Sequence, residues 1–243
     1  MDSNYKPYDH IASFARLDSI LAQSQSSYEE VDALPDRDRL TYANGFYAYC
    51  SALFVDIRDS SKLPSKYQRP ALAKLYRAYI SEMVAILNGT RLAREVNIVG
   101  DGVWAVLNTP ARSNIDEVFA VAARVNTLVE VLNYKLRKAG YTDPIRVGIG
   151  MAYGRALMIK AGYNGSGLAD VVYMGDVVNA AAKLAAQGSK GLFPSPPIMI
   201  DDTFAGNLDK DNVRLVKKDW SLGCYVANVI DPKMHDWYEE HCT

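Results

Sequence analysis

Apolar residues recur along this chain with two different periods, and these periods divide it into helices and strands. Residues 70–87 and 114–139 carry apolar side chains three and four positions apart, which predicts two amphipathic helices. The same spacing predicts a helix over residues 9–25, and a run of small residues predicts a fourth helix over 177–187. The helical periods therefore account for about three tenths of the chain.

Short runs of β-branched and aromatic residues separate these helices and predict strands. Residues 50–57 form the first run, and residues 95–107 read as a hairpin that turns at Gly100-Asp-Gly102. Further strands are predicted at 145–152, 156–161, 171–174, 197–201, 213–217 and 223–230. The order strand, helix, hairpin, helix, strand predicts an α+β fold, with a mostly antiparallel sheet and its helices on one face. This is the ferredoxin-like split βαβ arrangement with added strands.

The first part of the chain has a different character from the rest. Its helical pattern is followed by a polar stretch, Ser24-Gln-Ser-Ser-Tyr-Glu-Glu30, before the regular strands begin. We predict an N-terminal helical extension over residues 1–46 and one large domain over residues 47–243. The extension would brace a dimer or cover one edge of the sheet.

Composition excludes several classes of protein. A net charge of −1, from 27 basic and 28 acidic residues, argues against a dedicated nucleic-acid binder. The three cysteines (Cys50, Cys224 and Cys242) lack C-x-x-C spacing and are interpreted as reduced thiols. No apolar run approaches the roughly 18 residues of a membrane span, and the N-terminus lacks a signal-peptide core. We expect a soluble, cytoplasmic protein with neither nucleic acid nor membrane as a partner.

Two aspartates each follow a short apolar run, and this pattern is typical of a charged residue at the end of a buried strand. Asp56 follows Ser51-Ala-Leu-Phe-Val55, and Asp101 lies in the turn of the predicted hairpin. A lone aspartate in such a place is usually a turn former or a helix cap. Two carboxylates side by side repel each other unless a cation lies between them. The pair therefore predicts a site for one or two divalent metals and, with it, phosphate chemistry.

Four segments resemble, in order, the motifs of the class III nucleotidyl cyclase catalytic domain. Phe54-Val-Asp-Ile57 and Ile98-Val-Gly-Asp-Gly-Val-Trp-Ala-Val106 are similar to the two metal motifs of that family. Arg146-Val-Gly-Ile-Gly-Met-Ala-Tyr-Gly154 resembles its R-V-G-I-x-x-G strand. Tyr173-Met-Gly-Asp-Val-Val-Asn-Ala-Ala-Ala-Lys-Leu184 resembles its Y/F-x-G-D-x-V-N-x-A-x-R-L helix entry. Four collinear motifs are far more specific than one.

The resemblance implies a reaction and the groups that would support it. In the family, the 3′-hydroxyl of a nucleoside triphosphate attacks its own α-phosphorus and pyrophosphate leaves. Two divalent metals per site, Mn²⁺ or Mg²⁺, are implied, with Asp56, Ile57 and Asp101 as their ligands. The residues implied to bind substrate phosphates are Arg58, Ser60, Arg146, Lys217 and Lys218. For the two lysines, a solvated surface is the simpler interpretation from the residues alone.

The resemblance also implies a head-to-tail homodimer with composite active sites. Asp56 and Asp101 would act with the catalytic residues Asn179 and Lys183 of the other chain. Lys183 stands where most of the family carry arginine, so it keeps the charge but not the bidentate fork. This departure leaves Arg58 as an alternative source of the catalytic cation.

The two positions that read the base in the family depart from both purine patterns. They hold Asn97 and Val172 here, although an edge-strand amide and a core valine explain these residues equally well. An amide donates and accepts hydrogen bonds, which suits uracil or cytosine. The pattern resembles the pyrimidine cyclases of bacterial antiphage (Pycsar) systems, whose products signal to a separate effector protein. We favour UTP as the substrate; CTP, an unusual adenylate cyclase and an inactive nucleotide-binding module are the alternatives.

Overall fold

The computed structural model describes residues 3–191 and 194–242. In these ranges the helices are α1 (His10–Leu21), α2 (Leu63–Lys66), α3 (Arg69–Asn88), α4 (Arg112–Lys138), α5 (Asp176–Ala185), α6 (Asp202–Asn207) and α7 (Pro232–His241). The strands are β1 (Tyr28–Glu30), β2 (Gly45–Ile57), β3 (Ala93–Val99), β4 (Gly102–Leu107), β5 (Val147–Tyr163), β6 (Leu168–Met174), β7 (Ile198–Ile200), β8 (Lys217–Asp219) and β9 (Cys224–Ala227). No helix in the described part of the chain has the length and apolar character to cross a membrane.

The strands form one sheet in the order β3-β4-β2-β5-β7-β9-β8, with β1 added beside β2 and β6 beside β5. The first four strands pair antiparallel throughout. With α3 between β2 and β3 and α4 between β4 and β5, they make the ferredoxin-like core. The predicted α+β fold with added strands is therefore confirmed.

The central strands are buried on both faces. On β2, Leu53 and Val55 point toward the cluster formed with α3 and α4, while Cys50 and Ala52 point to the opposite cluster. Helix α5 packs on that second face, where Ala181 is fully buried. The prediction of helices on one face is therefore wrong for α5, because its small residues lie flat against the other side of the sheet.

Glycines of β5 allow α5 to approach the sheet closely. A Cβ at Gly150 would lie 2.9 Å from the Cα of Ala185, and one at Gly148 would lie 3.0 Å from the carbonyl oxygen of Gly188. Carbon atoms pack best at about 3.5–4.0 Å, so any side chain here would push the helix away. The glycines of the R-V-G-I-G segment thus set the position of α5.

Three sequence predictions need correction. The strands predicted at 145–152 and 156–161 are one continuous strand, β5, because β2 pairs with it without interruption from Gly45 to Ile57. The strand predicted at 213–217 is instead a 3-10 turn, Asn212–Leu215, followed by the short β8. The division at residue 46 also fails to separate two units, since β1 pairs with β2 and Leu34 and Leu40 are buried in the second cluster. Helix α1, by contrast, contains no buried residue.

Candidate active site

The two aspartates lie at one end of neighbouring strands. Asp56 is the penultimate residue of β2, and Asp101 occupies the turn between β3 and β4. Gly100 has a positive φ of 63°, a backbone conformation that favours glycine, and so permits this tight turn. Because β2 pairs with β4 up to Val55 and Val103, the two carboxylates lie next to each other. The structure thus brings together the pair that the sequence predicted.

The carboxylates are close enough to perturb each other. Burial raises the pKa of Asp56, and the nearby Asp101 carboxylate raises it further, while Arg58 opposes both effects. The Nη2 of Arg58 lies 2.7 Å from Oδ2 of Asp56. On Asp101, by contrast, Oδ2 is buried and has no hydrogen-bond partner in residues 3–191 and 194–242. One arginine therefore neutralises one carboxylate and leaves the other unpartnered.

An unpartnered, buried carboxylate oxygen fits a cation. No group of three or more His, Cys, Asp or Glu side chains arranged for metal binding occurs in residues 3–191 and 194–242. If two carboxylates and the Ile57 carbonyl bound a metal, several of its coordination positions would therefore be filled by water or by substrate phosphates. Mg²⁺ and Mn²⁺ suit such an incomplete oxygen site, because Mg²⁺ keeps several waters and binds through one or two carboxylates plus phosphates.

Arg58 and Arg146, two of the predicted phosphate-binding residues, line a small cavity of about 250 Å³. The backbone N–H of Arg58 donates to the carbonyl of Arg146 at 2.8 Å, which fixes the two segments together. Asp59 pairs with Lys62 at 2.8 Å and with Arg146 at 3.4 Å, and mainly through Lys62 its pKa is lowered. Ser60 opens a 3-10 turn beside them and is half-buried. Several cationic side chains therefore line the cavity. Anionic substrate phosphates could replace Asp59 as the partner of these cations.

Helix α5 carries Asn179 and Lys183 one turn apart on its exposed side. Neither side chain has a hydrogen-bond partner in the described part of the chain. The helix is tied to the aspartates through Arg58, whose Nη1 donates to the carbonyl of Ala186 at 3.0 Å. Asn179 and Lys183 themselves face outward, where a second molecule could meet them.

Lys217 and Lys218 lie far from the aspartates of the same chain. They belong to β8, which the sheet order places four strands away from β2. Lys218 pairs with Asp202 and packs over the ring of Tyr225, whereas Lys217 is exposed. Within one chain, these lysines are therefore not part of the aspartate site.

The two predicted base-reading residues come from strands that are not neighbours in the sheet. Asn97 on β3 pairs with Trp104 on β4, which in turn pairs with Phe54 on β2. The rings of Phe54 and Trp104 stack in parallel at 5.0 Å between centroids. Val172 lies on β6, paired with Ile159, and is 37% exposed. Asn97 therefore lies beside a pair of stacked aromatic rings, those of Trp104 and Phe54.

Sequence reasoning missed a residue that joins these two strands. Arg37, from the segment before β2, pairs with Glu95 of β3 at 3.4 Å and with Asp170 of β6. No local pattern marks it, because the contact depends on three segments that are distant in the sequence. It lies in the stretch that the sequence assigned to an extension.

The comparisons with known proteins agree with this geometry. Residues 44–198 match the family described as the adenylate and guanylate cyclase catalytic domain. These residues include the aspartate pair and the exposed face of α5. The chain belongs to this family of class III cyclase catalytic domains, as its motifs predicted.

Individual relatives narrow the comparison. The chain is 47% identical to a uridylate cyclase from Gulbenkiania mobilis, over 99% of this chain and 100% of the relative. It is 36% identical to a uridylate cyclase from Treponema porcinum, over 95% of this chain and 80% of the relative. Among solved structures, a class III adenylyl cyclase-like ATP-binding protein from Pseudomonas aeruginosa aligns with a TM-score of 0.72 at 16% identity, over 93% of this chain and 48% of that one. At that identity the likeness concerns the fold alone.

Proposed function

We propose that this protein is a uridylate cyclase that converts UTP to cyclic UMP and pyrophosphate. The observation that carries the proposal is the 47% identity, along the whole chain, to a protein named uridylate cyclase. Both carboxylates that the reaction needs are present and adjacent. The amide of Asn97, in place of the purine-reading residues, is consistent with a pyrimidine base.

The reaction makes one bond and breaks one. The 3′-oxygen of the substrate bonds to the α-phosphorus, the bond from that phosphorus to the bridging oxygen breaks, pyrophosphate leaves with that oxygen, and the hydroxyl proton passes to water. Asp56, Asp101 and the Ile57 carbonyl would hold two divalent metals, which when bound lower the pKa of the hydroxyl and offset phosphate charge. Arg58, Ser60 and Arg146 would bind the triphosphate in this proposal, which is supported by the cavity that Arg58 and Arg146 line together next to Ile57.

The site is completed, in this proposal, by a second copy of the chain in a head-to-tail dimer. Asn179 and Lys183 are exposed and lack partners in the described residues, so they are available to a neighbouring molecule. Lys183 would supply positive charge to the transition state, and Lys217 or Lys218 would reach the phosphates across the same interface. A two-fold dimer would contain two equivalent sites.

Mixing two inactive variants tests the composite site. D101N removes the metal side of a site, and K183A removes the cation from the other side. Each variant alone should be inactive, whereas an equal mixture should regain about a quarter of wild-type activity, because half of the dimers are mixed and each has one intact site. No recovery from a mixture shown to contain mixed dimers would contradict the shared site.

Product identification tests the reaction itself. The purified protein is incubated with UTP, CTP, ATP or GTP and Mn²⁺, and the products are identified by mass spectrometry, with D101N as the blank. Cyclic UMP should dominate. Cyclic CMP or cyclic AMP as the main product would overturn the choice of base, and no cyclic product at all would favour the nucleotide-binding module.

The biological setting that we propose is antiphage defence in the bacterial cytoplasm. The support is the resemblance to Pycsar pyrimidine cyclases, in which the product is read by a separate effector protein. Cyclic UMP should rise in cells after phage infection, and D101N cells should lack both this rise and any protection. Protection that persists in D101N cells would separate the defence from the cyclase.

A further inference from the structure

A groove of about 850 Å³ runs between α3 and α4, on the side of these helices that faces away from the sheet. Apolar side chains from both helices line it, among them Ala78 of α3 and Leu128 and Leu132 of α4. Pockets of about 300–1,000 Å³ with mainly apolar walls and a few polar groups are typical of sites for small organic molecules. The groove therefore has the size and the character of a ligand site.

Two tyrosines form one end of this groove and are held there by hydrogen bonds. The hydroxyl of Tyr141, in the segment after α4, donates to the carbonyl of Ala71 at 2.7 Å. The hydroxyl of Tyr67 accepts from the backbone N–H of Asp143 at 3.2 Å, and the two tyrosine rings lie 5.2 Å apart between centroids. These contacts fix the end of α4 beside the start of α3. The groove is therefore a formed feature of the fold.

The charged residues that line the groove are distributed unequally along it. Lys74 follows Ala71 by one helical turn and Lys135 lies in the last turn of α4, so both lysines are near the tyrosine end. Neither lysine is paired with a carboxylate in the described part of the chain, and Lys135 lies over the ring of Trp237, 5.5 Å from its centroid. The carboxylate in the lining, Glu82, is eight residues beyond Lys74 on α3, which is about 12 Å along the helix. One end of an apolar groove is therefore positively charged.

We propose that this groove binds an amphipathic organic anion, with its apolar body along the groove and its anionic head group at Lys74 and Lys135. Burial of the apolar body supplies most of the affinity, and the two lysines select the sign of the charge. Glu82 repels the head group only weakly, because about 12 Å exceeds the screening length of about 8–10 Å at physiological salt. The inference does not depend on the proposed cyclase function.

Fluorescence titration of the full chain with anilinonaphthalene sulfonate, an aromatic anion, tests the site. The wild type should bind about one probe per chain saturably, and decanoate should displace the probe at concentrations at which decyltrimethylammonium does not. K74Q and K135Q should each weaken binding by about two- to fivefold, and the double variant by on the order of tenfold. K138Q is the matched control and should bind as the wild type, because Lys138 lies in the same last turn of α4 but does not line the groove.

A second pair of variants tests the apolar part of the groove. A78F places a ring in the groove and should abolish saturable binding. A73F is its control and should leave binding unchanged, because Ala73 is an exposed residue of the same helix that does not line the groove. Melting temperatures show that each variant is folded, and the lysine variants keep the test valid if A78F is not.

Three results would overturn the inference. Absence of saturable probe binding to the wild type would show that the groove is not a ligand site. Equal displacement by decanoate and decyltrimethylammonium, or an equal effect of K74Q, K135Q and K138Q, would show that the lysines do not select an anion. If sedimentation shows that A78F dissociates an oligomer that the wild type and A73F retain, the groove is an interface between copies of the chain instead.

Discussion

The close contact between α5 and β5 predicts that a single methyl group will disable the enzyme from behind its active site. In G150A the new Cβ would lie 2.9 Å from the Cα of Ala185, and closer still to the carbonyl oxygen of Ala181. Both neighbours are backbone atoms, so no side-chain rotation can relieve the clash. Because carbon atoms pack at about 3.5–4.0 Å, the helix must retreat by about 1 Å.

The displacement of α5 in G150A should lower the stability of the protein, and it should lower the activity more strongly. Overpacking of this kind lowers the free energy of unfolding by about 1–3 kcal/mol. In a chain of this size, a loss of about 2 kcal/mol lowers the melting temperature by roughly 4–8 °C. Helix α5 also carries Asn179 and Lys183. A displacement of about 1 Å in catalytic groups can reduce the rate by on the order of 100-fold. Activity should therefore fall far more than the folded fraction at 25 °C.

The same strand provides the control. In G154A the new Cβ would lie 3.5 Å from Cβ of Val177, which is ordinary van der Waals contact. Thermal melts and cyclase rates at saturating UTP are compared for both variants. G154A should behave nearly as the wild type. If G150A and G154A behave alike in both assays, the glycine does not set the position of the helix.

Three further predictions follow from individual groups. D101N should reduce product by more than about 100-fold without lowering the melting temperature, because it removes the repulsion on Asp56; a lowered melting temperature would contradict the electrostatic interpretation. Burial raises the pKa of Asp201 to about 6, above its unfolded value of about 3.9, so the contribution of Asp201 to stability should be largest below about pH 4, fall up to about pH 6 and then level. Melts of D201N should lack that fall, and an unchanged pH profile would refute the assignment. Burial raises the pKa of the Cys50 thiol to about 12, so iodoacetamide at pH 8 should label Cys50 only after unfolding, as mass spectrometry of the peptides would show.

Local patterns in the sequence predicted the core of the fold and the aspartate pair. Strand and helix periods are short-range signals, and the order of the elements left few ways to form the sheet. The aspartates could be located because each follows its strand directly. Their proximity needed only that β2 and β4 pair, which the structure shows.

Contacts between distant segments were beyond such patterns. Residues 28–46 join the domain because β1 pairs with β2 and because Leu34 and Leu40 are buried in the second cluster. The stretch is too short for either contact to produce a periodic pattern of apolar residues. The length of β5 was missed because Gly154 reads as a break, whereas its pairing with Cys50 continues the ladder. Arg37 was missed because its two partners lie 58 and 133 residues away.

The pairing of Arg58 with Asp56 explains how two carboxylates can be held together before any metal binds. The guanidinium reaches Asp56 while its other nitrogen is held by the Ala186 carbonyl at 3.0 Å, so it is positioned from both sides. Of the two carboxylates it contacts that of Asp56, and the buried Oδ2 of Asp101 has no hydrogen-bond partner among the described residues. The site thus retains an excess of negative charge that only a further cation can offset. Asp56 and Asp101 would hold a divalent metal whose charge offsets this excess, and Arg58 would then be available to pair with the substrate phosphates, so that metal and substrate binding would support each other.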